Sequence, residues 1–418
     1  MTNMVATVKR KKLGGSVIIP PSKSVAHRAL ICACLRGKAS KIRCESISLD
    51  IEATIGCLRG LGYDITIENE YIIVHEGRQS VISPVLDCKE SGSTFRFILP
   101  IVAALGCGAT FVGEGRLGKR PMKELFGELE RHGVTINHPE ESVLPCTVSG
   151  KCDCGRFSIR GDISSQYITG ILLSLPIMEK GEVEIVGKIE SKPYIDITLD
   201  VMKKFGFSMI DEDGKLVYNG YCETDFVEYS VEGDFSNAAF FVVGGLIGAK
   251  EKLELRGLYK DSVQGDKAII DIMKSFGGNI VEGESSIVVF PSKLHGTTVD
   301  VTDTPDLAPI IAVASAAASG VTFIHGCARL RAKESDRIES TITLINSLGG
   351  NARVEGDTII VEGSGSLRGG RVDAFGDHRI AMSAAICSLI CENEVIIDGA
   401  EAVCKSFPSF FEIFDSLN

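Results

Sequence analysis

The sequence predicts an α/β protein of two globular domains, each assembled from three copies of a unit of about seventy residues. Three observations lead there. A glycine followed by a short strand pattern recurs at Gly62, Gly133, Gly206, Gly277 and Gly349, at intervals of 71, 73, 71 and 72 residues. Six segments rich in small apolar residues begin near residues 22, 91, 163, 235, 304 and 377, with the same period. The first residues, VATVKRKK and GSVIIP, are strand-like, whereas the last, FPSFFEIFDSLN, read as a helix with no strand after it.

Each element follows from its residues. The recurring glycines end amphipathic helical patterns such as RPMKELFGELERHG and DKAIIDIMKSFGG, where a helix C-cap needs positive φ. The six small-residue segments are SKSVAHRALICACLRG, SGSTFRFILPIVAALG, ISSQYITGILLSLPI, FSNAAFFVVGGLIGA, TPDLAPIIAVASAAASG and DHRIAMSAAICSLIC. They are apolar nearly all round and predict buried helices, each paired with an amphipathic helix that faces solvent. β-Branched runs such as YIIVH, VEIVG, SIVVF and TIIVEG supply the strands. No polar capping units mark an open solenoid. The N-terminal strands are therefore expected to complete the last unit. This gives one domain of residues 22–232 and a second of residues 1–21 with 233–418. Two strands join them as a hinge, near Pro20–Pro21 and Gly233–Asp234, and the active site is expected in the cleft between the domains.

The chain has 418 residues, 44% of them hydrophobic, and a net charge of -11. That length exceeds one ordinary core. The acidic balance argues against general nucleic-acid or membrane-surface binding, so any basic cluster must be local. The first residues lack the apolar stretch of a signal peptide, and the apolar runs are too short to span a bilayer, which together predict a cytoplasmic protein. The 14 cysteines include no C-x-x-C pair and read as small apolar core residues in a reducing compartment. No metal site is expected.

The openings of the six buried helices carry the chemistry. In PPSKSVAHRAL, Ser22 is a candidate N-cap, yet Lys23 and Arg28 lie in the first turns. A helix N-terminus is already partially positive, and cations there cost about 0.3–1 kcal/mol each. The second opening offers Ser91, Gly92, Ser93, Thr94 and Arg96; the third, Ser164, Ser165 and Gln166; the fifth, Asp306; the sixth, Asp377, His378 and Arg379. The fourth, GDFSNAAFF, offers no cation and reads as the structural default. Each motif alone has an ordinary reading: a solvated cap, an N-cap turn, a salt-bridged cap. Their coincidence at one phase of a repeat predicts a surface where helix N-termini and added cations meet an anionic ligand with more than one anionic group. RAKESDR, Arg331 to Arg337, is expected to open a surface helix. The like-charge i,i+4 pairs Arg329/Lys333 and Lys333/Arg337 would then be offset by Glu334 and Asp336 within a solvated face. GRLGKRPM adds Lys119 and Arg120, and VCKSFP adds Lys405 before the last helix.

These stretches, with GDISSQY, ESKPYIDIT and KSFPSFF, resemble the 5-enolpyruvylshikimate-3-phosphate synthase family, in family order and across almost the whole chain. The resemblance implies two domains of three βαβαββ-like units each, the enolpyruvyl transferase fold, closing around the substrates. It implies transfer of the enolpyruvyl group of phosphoenolpyruvate to the 5-hydroxyl of shikimate 3-phosphate, with release of phosphate, on the route to chorismate and the aromatic amino acids. No cofactor is implied, and the chain would act as a monomer. By the resemblance Lys23 contacts both substrates and helps proton traffic. Ser24, Arg28, Ser164, Ser165, Ser191, Tyr194 and Lys333 hold shikimate 3-phosphate, and Gln166 lies between the ligands. Gly92, Arg96, Arg120, Arg337, Arg379 and Lys405 surround phosphoenolpyruvate. Asp306 takes the hydroxyl proton, in contact with shikimate 3-phosphate, and Glu334 delivers and removes the proton at C3. Well-known members carry N-A-G-T where this chain has Glu90-Ser91-Gly92-Ser93, and some place an Asn where it has Arg329, which is given no role. These departures leave sensitivity to glyphosate, the family's inhibitor, open. Two alternatives stand beside this reading. The sister enzyme acting on UDP-N-acetylglucosamine typically opens with K-N-A-x-L-P and carries a Cys in the loop that here reads GEGRLGKRP. A non-catalytic anion-binding scaffold would be free to lose some of Lys23, Asp306, Glu334, Arg337, Arg379 and Lys405, all present here.

Overall fold

The structure is a computed structural model and describes residues 4–417. Among the described residues twelve α-helices follow in order: α1 (Lys23–Leu35), α2 (Leu49–Gly60), α3 (Gly92–Leu105), α4 (Lys123–Arg131), α5 (Ser165–Met178), α6 (Lys192–Lys204), α7 (Phe235–Gly248), α8 (Ile269–Ser275), α9 (Ala308–Ala317), α10 (Arg337–Ser347), α11 (His378–Cys387) and α12 (Phe410–Ser416). The odd-numbered helices are the six small-residue segments, and they are buried over most of their length. The even-numbered helices are the amphipathic ones. Gly62, Gly133, Gly206, Gly277 and Gly349 follow α2, α4, α6, α8 and α10 with φ between 87° and 91°. Each returns its N–H to the carbonyl three residues back, at 2.9–3.1 Å, so the period of the sequence is a period of helix C-caps.

The chain divides into two compact units. One is Lys23–Val231; the other runs up to Ser22 and resumes at Glu232. Each has its own hydrophobic core. Among the described residues there are five four-stranded sheets and one three-stranded sheet. The second repeat shows the pattern most simply. Strand Val85–Asp87 leads through α3 to the parallel strand Ala109–Val112, then through α4 to the strands Thr135–Asn137 and Cys146–Ser149, which pair antiparallel.

Three repeats take a strand from outside chain order, the first strand in two of them and an antiparallel strand in the last. The first repeat takes it from Val227–Ser230, parallel to Ser40–Arg43. The last repeat gains Val5–Val8, antiparallel to Val395–Asp398. The second N-terminal strand, Ser16–Ile18, lies parallel to Leu253–Arg256 in the fourth repeat. This corrects the expectation that both N-terminal strands complete the last unit: Val5–Val8 does so, while Ser16–Ile18 supplies the parallel edge strand of the fourth repeat. The two passages of the chain between units are bonded to each other, Ser22 N–H to Glu232 O at 2.7 Å and Asp234 N–H to Pro20 O at 2.9 Å.

Candidate active site: two charged clusters at helix openings

In the Lys23–Val231 unit, the openings of α1, α3 and α5 carry the polar side chains singled out in the sequence. Ser91 caps α3, its Oγ accepting from Thr94 N–H at 3.2 Å, and Ser164 caps α5, accepting from Gln166 N–H at 3.3 Å. Ser22 occupies the equivalent position before α1, but its buried hydroxyl has no hydrogen-bond partner among the described residues, so the expected cap is not made. Lys23 instead ion-pairs with Asp50 in the first turn of α2, at 2.8 Å. Asp50 has the opposite charge to Lys23 and lies at a helix N-terminus, where carboxylates are favoured.

Arg96 donates to Gln166 Oε1 at 2.6 Å and to Pro121 O at 3.2 Å; Gln166 in turn donates to Ser93 Oγ at 2.9 Å. A Cβ on Gly92 would lie 2.2 Å from an Arg120 guanidinium nitrogen and 3.3 Å from one of Arg96, so a side chain there would push the Arg120 guanidinium aside. Two guanidinium groups thus converge on the backbone of the α3 opening, an arrangement suited to pairing with the oxygens of a carboxylate or phosphate. Arg28 is buried and spends its donors on the framework: Thr198 Oγ1 at 2.8 Å, Ser24 O at 2.6 Å, Tyr194 O at 3.0 Å and Thr169 Oγ1 at 3.3 Å. Burial brings its pKa down to about 10. Ser191, just before α6, is buried and left-handed at φ 56°, a conformation that costs a non-glycine residue about 1–2 kcal/mol. Glu90 packs over Gly115, where a Cβ would meet its carboxyl group at 2.7 Å.

The other unit gathers the remaining candidates. Asp306, in a short 3-10 turn before α9, is bonded to Lys333 at 3.2 Å, Arg337 at 2.7 Å and Arg379 at 2.9 Å. Arg337 is fully buried and also pairs with Glu334 at 2.6 Å and Asp377 at 2.7 Å. Burial would raise the Asp306 pKa, but Arg379, Lys333 and Arg337 hold it well below the usual carboxylate range. Burial would lower that of Arg337; Asp377, Glu334 and Asp306 outweigh it and hold the guanidinium charged. Lys333 is shifted down by burial, with Asp306 opposing and Arg337 adding to the shift. Lys405 donates to Gly376 O at 2.7 Å, and Arg329 to Thr302 O at 2.8 Å.

The expected helical i,i+4 pairs of RAKESDR do not exist. α10 begins only at Arg337, capped by Asp336, while Lys333 has extended backbone at φ -90°, ψ -162°. Lys333 and Arg337 come together because both reach Asp306, a tertiary contact with no trace in local spacing. Two further acidic residues, Asp50 and Asp266, were missed, and Asp377, named at the sixth opening, had no partner assigned. Asp50 and Asp377 lie at helix starts, a signal legible in sequence, but their cationic partners are 27 and 40 residues away. Asp266 has no periodic signal. It is buried, accepts from Ser236 at the start of α7, and has its pKa pushed up to about 6 by burial and by Asp306. The fourth opening, read as the structural default, thus borders the charged cluster.

The family profile described as EPSP synthase (3-phosphoshikimate 1-carboxyvinyltransferase) matches residues 7–414. A protein named 3-phosphoshikimate 1-carboxyvinyltransferase from Clostridium kluyveri is 40% identical over 417 residues, covering 98% of this chain and 96% of that one. Its namesake from Clostridium novyi is 40% identical over 418 residues, covering 97% and 95%. A solved EPSP synthase from Acinetobacter baumannii superposes with a TM-score of 0.82 at 25% identity, covering 100% of this chain and 98% of that one. The enolpyruvyl transferase NikO from Streptomyces tendae shares the fold, with a TM-score of 0.79 at 15% identity over 99% and 97% of the two chains. With its repeats, its charged helix openings and a match along nearly its full length, the chain belongs to the EPSP synthase (3-phosphoshikimate 1-carboxyvinyltransferase) family.

Proposed function

We infer that the protein transfers the enolpyruvyl group of phosphoenolpyruvate to the 5-hydroxyl of shikimate 3-phosphate by addition and elimination. The observation that carries the reading is the cluster in which Asp306 is bonded to Lys333, Arg337 and Arg379 while Glu334 shares Arg337. Both substrates bring phosphate and carboxylate groups, and such a cluster exchanges internal anions for substrate anions.

That exchange has a consequence for proton transfer. Caged by three cations, Asp306 is a poor base. When the substrate anions draw Arg337, Arg379 and Lys333 toward themselves, the Asp306 carboxylate loses its stabilisation and its basicity rises. It then takes the 5-hydroxyl proton as the oxygen attacks C2 of phosphoenolpyruvate. Glu334 supplies a proton to C3, giving the tetrahedral intermediate. Phosphate leaves with the proton that Asp306 took, and return of a C3 proton to Glu334 yields the enol ether. Lys23, Gly92, Arg96, Arg120, Gln166, Arg337, Arg379 and Lys405 bind phosphoenolpyruvate in this reading. Lys23, Ser24, Ser164, Ser165, Gln166, Ser191, Tyr194, Asp306 and Lys333 bind shikimate 3-phosphate, with Arg28 holding Ser24 and Tyr194 in place around the ligand. The catalytic power lies in positioning, charge neutralisation and proton transfer. The reading includes a monomer working in the cytoplasm; among the described residues no helix is long and apolar enough to cross a membrane.

Phosphate release is the test. It should require phosphoenolpyruvate and shikimate 3-phosphate together, neither alone sufficing. Asp306→Asn should lower kcat by about 10²- to 10⁴-fold while calorimetry still detects ligand binding. Release with UDP-N-acetylglucosamine as acceptor instead would move the assignment to the sister reaction.

A further inference from the structure

A chain of four buried side chains in the Lys23–Val231 unit has no part in the chemistry above. His27 Nδ1 lies 2.6 Å from Thr54 Oγ1. Thr54 Oγ1 lies 2.7 Å from Thr94 Oγ1, and Thr94 Oγ1 donates to Ser91 Oγ at 2.7 Å. All four side chains are fully buried. They sit on α1, on α2 and at the opening of α3. These same segments carry Lys23 and Arg28, the Lys23 partner Asp50, and Gly92 with Arg96. Polar side chains on three separate segments, linked end to end by direct hydrogen bonds, form a structure that apolar packing would not require.

The chain has a direction. Thr94 commits its hydroxyl proton to Ser91, with the Asp50 carbonyl at 3.4 Å as the second acceptor in reach. Thr94 can therefore only accept from Thr54, and Thr54, having given its proton, can only accept from His27. His27 must then be the Nδ1–H tautomer. Its Nε2 is buried without a hydrogen-bond partner among the described residues, as fits an unprotonated nitrogen, since a buried N–H left without an acceptor is the rarer omission. Burial, with Lys23 and Arg28 nearby, holds the imidazole well below its ordinary pKa and so neutral.

We propose that the His27–Thr54–Thr94–Ser91 chain is a polarised positioning relay that sets the Ser91–Gly92–Ser93 turn against α1 and α2, and thereby the phosphoenolpyruvate half of the site. His27, Thr54 and Thr94 are positioning residues; none touches a reacting atom. The kinetic part of this inference rests on the enolpyruvyl-transfer reading, while the tautomer does not.

Two measurements on the full chain test it. The first is long-range ¹H–¹⁵N correlation on histidine-labelled protein, with His27 assigned through its loss in His27→Asn. The Nδ1–H tautomer is expected, unchanged down to pH 5; an Nε2–H tautomer or an imidazolium overturns the relay even if no turnover is found. The second is steady-state kinetics of Thr94→Val and Thr94→Ser. Thr94→Val should raise KM for phosphoenolpyruvate about tenfold with KM for shikimate 3-phosphate within about twofold. Thr94→Ser should restore the parent value. Equal impairment of both variants, or of neither, overturns the proposal. If Thr94→Val fails to fold, His27→Asn, which keeps an N–H donor, against His27→Leu, which does not, decides the same question by the same split.

Discussion

Asp266 and Asp306 are both buried carboxyl groups, yet their environments push them in opposite directions. Asp306 has Lys333, Arg337 and Arg379 on it and stays ionised. Asp266 is buried beside the carboxylates of Asp306 and Asp234, and burial together with these charges outweighs Arg379 and the Ser236 hydroxyl, so its pKa rises to about 6. A carboxyl raised on folding binds more protons in the native state than in the unfolded one. Its contribution is therefore favourable below the unfolded value of 3.8, fades as pH rises through about 6, and is a penalty at neutral pH. Asp266→Asn is expected to raise thermal stability at pH 7.5 by up to about 3 kcal/mol, with the gain disappearing towards pH 4. Melting curves across that range measure it, and a variant less stable at pH 7.5 would refute the assignment. Asp306 has the opposite sign: its ion pairs stabilise the fold above about pH 4, and that contribution is lost as acid protonates the carboxylate.

The helices achieve their placement through close backbone approach. A Cβ on Gly170 in α5 would fall 2.2 Å from the carbonyl oxygen of Arg96 and 3.1 Å from Pro100 Cγ, so α3 and α5 touch through a glycine. The obstructing atom is backbone, which cannot swing away. Gly170→Ala should destabilise the unit by about 2–3 kcal/mol. It should also raise KM for phosphoenolpyruvate, because separating the helices stretches the Arg96–Gln166 bond of 2.6 Å. Unfolding by urea reads the first effect and steady-state kinetics the second; a parent-like variant in both would show that the contact relaxes freely. The surface helices need no such contact, since their ends are set by the recurring left-handed glycine.

At the scale of the whole molecule the two units are unequal in how they are built from the chain. Lys23–Val231 is contiguous and contains every strand of its sheets, including Val227–Ser230, which pairs with Ser40–Arg43. The other unit borrows Val5–Val8 and Ser16–Ile18 from the start of the chain. A fragment of residues 23–231 is therefore expected to unfold cooperatively on heating and to bind shikimate 3-phosphate more weakly than the full chain, without turnover. A fragment of residues 232–418 should not fold alone, since two of its three sheets lack a strand. Circular dichroism of the two fragments checks this, and a well-folded C-terminal fragment would contradict it.

The seventy-residue period, the buried and exposed helices and the glycine caps were all legible in the sequence, because each depends on residues within a few positions of one another. So were Lys23, Arg96 and Arg379 as unusual helix-opening residues, since a cation against the local dipole shows without any structure, and Asp306 as the carboxylate of the fifth opening. The sequence placed an N-terminal strand in the last unit, but tertiary structure alone decided where Ser16–Ile18 and Val227–Ser230 pair, because an edge accepts any strand of the right direction however distant in the chain. It alone decided the pairings of Arg337, whose partners Asp306 and Asp377 lie 31 and 40 residues away. It also decided the elevated proton affinity of Asp266. Burial and Coulomb interactions act through space, and the sequence order of a folded chain does not record its distances.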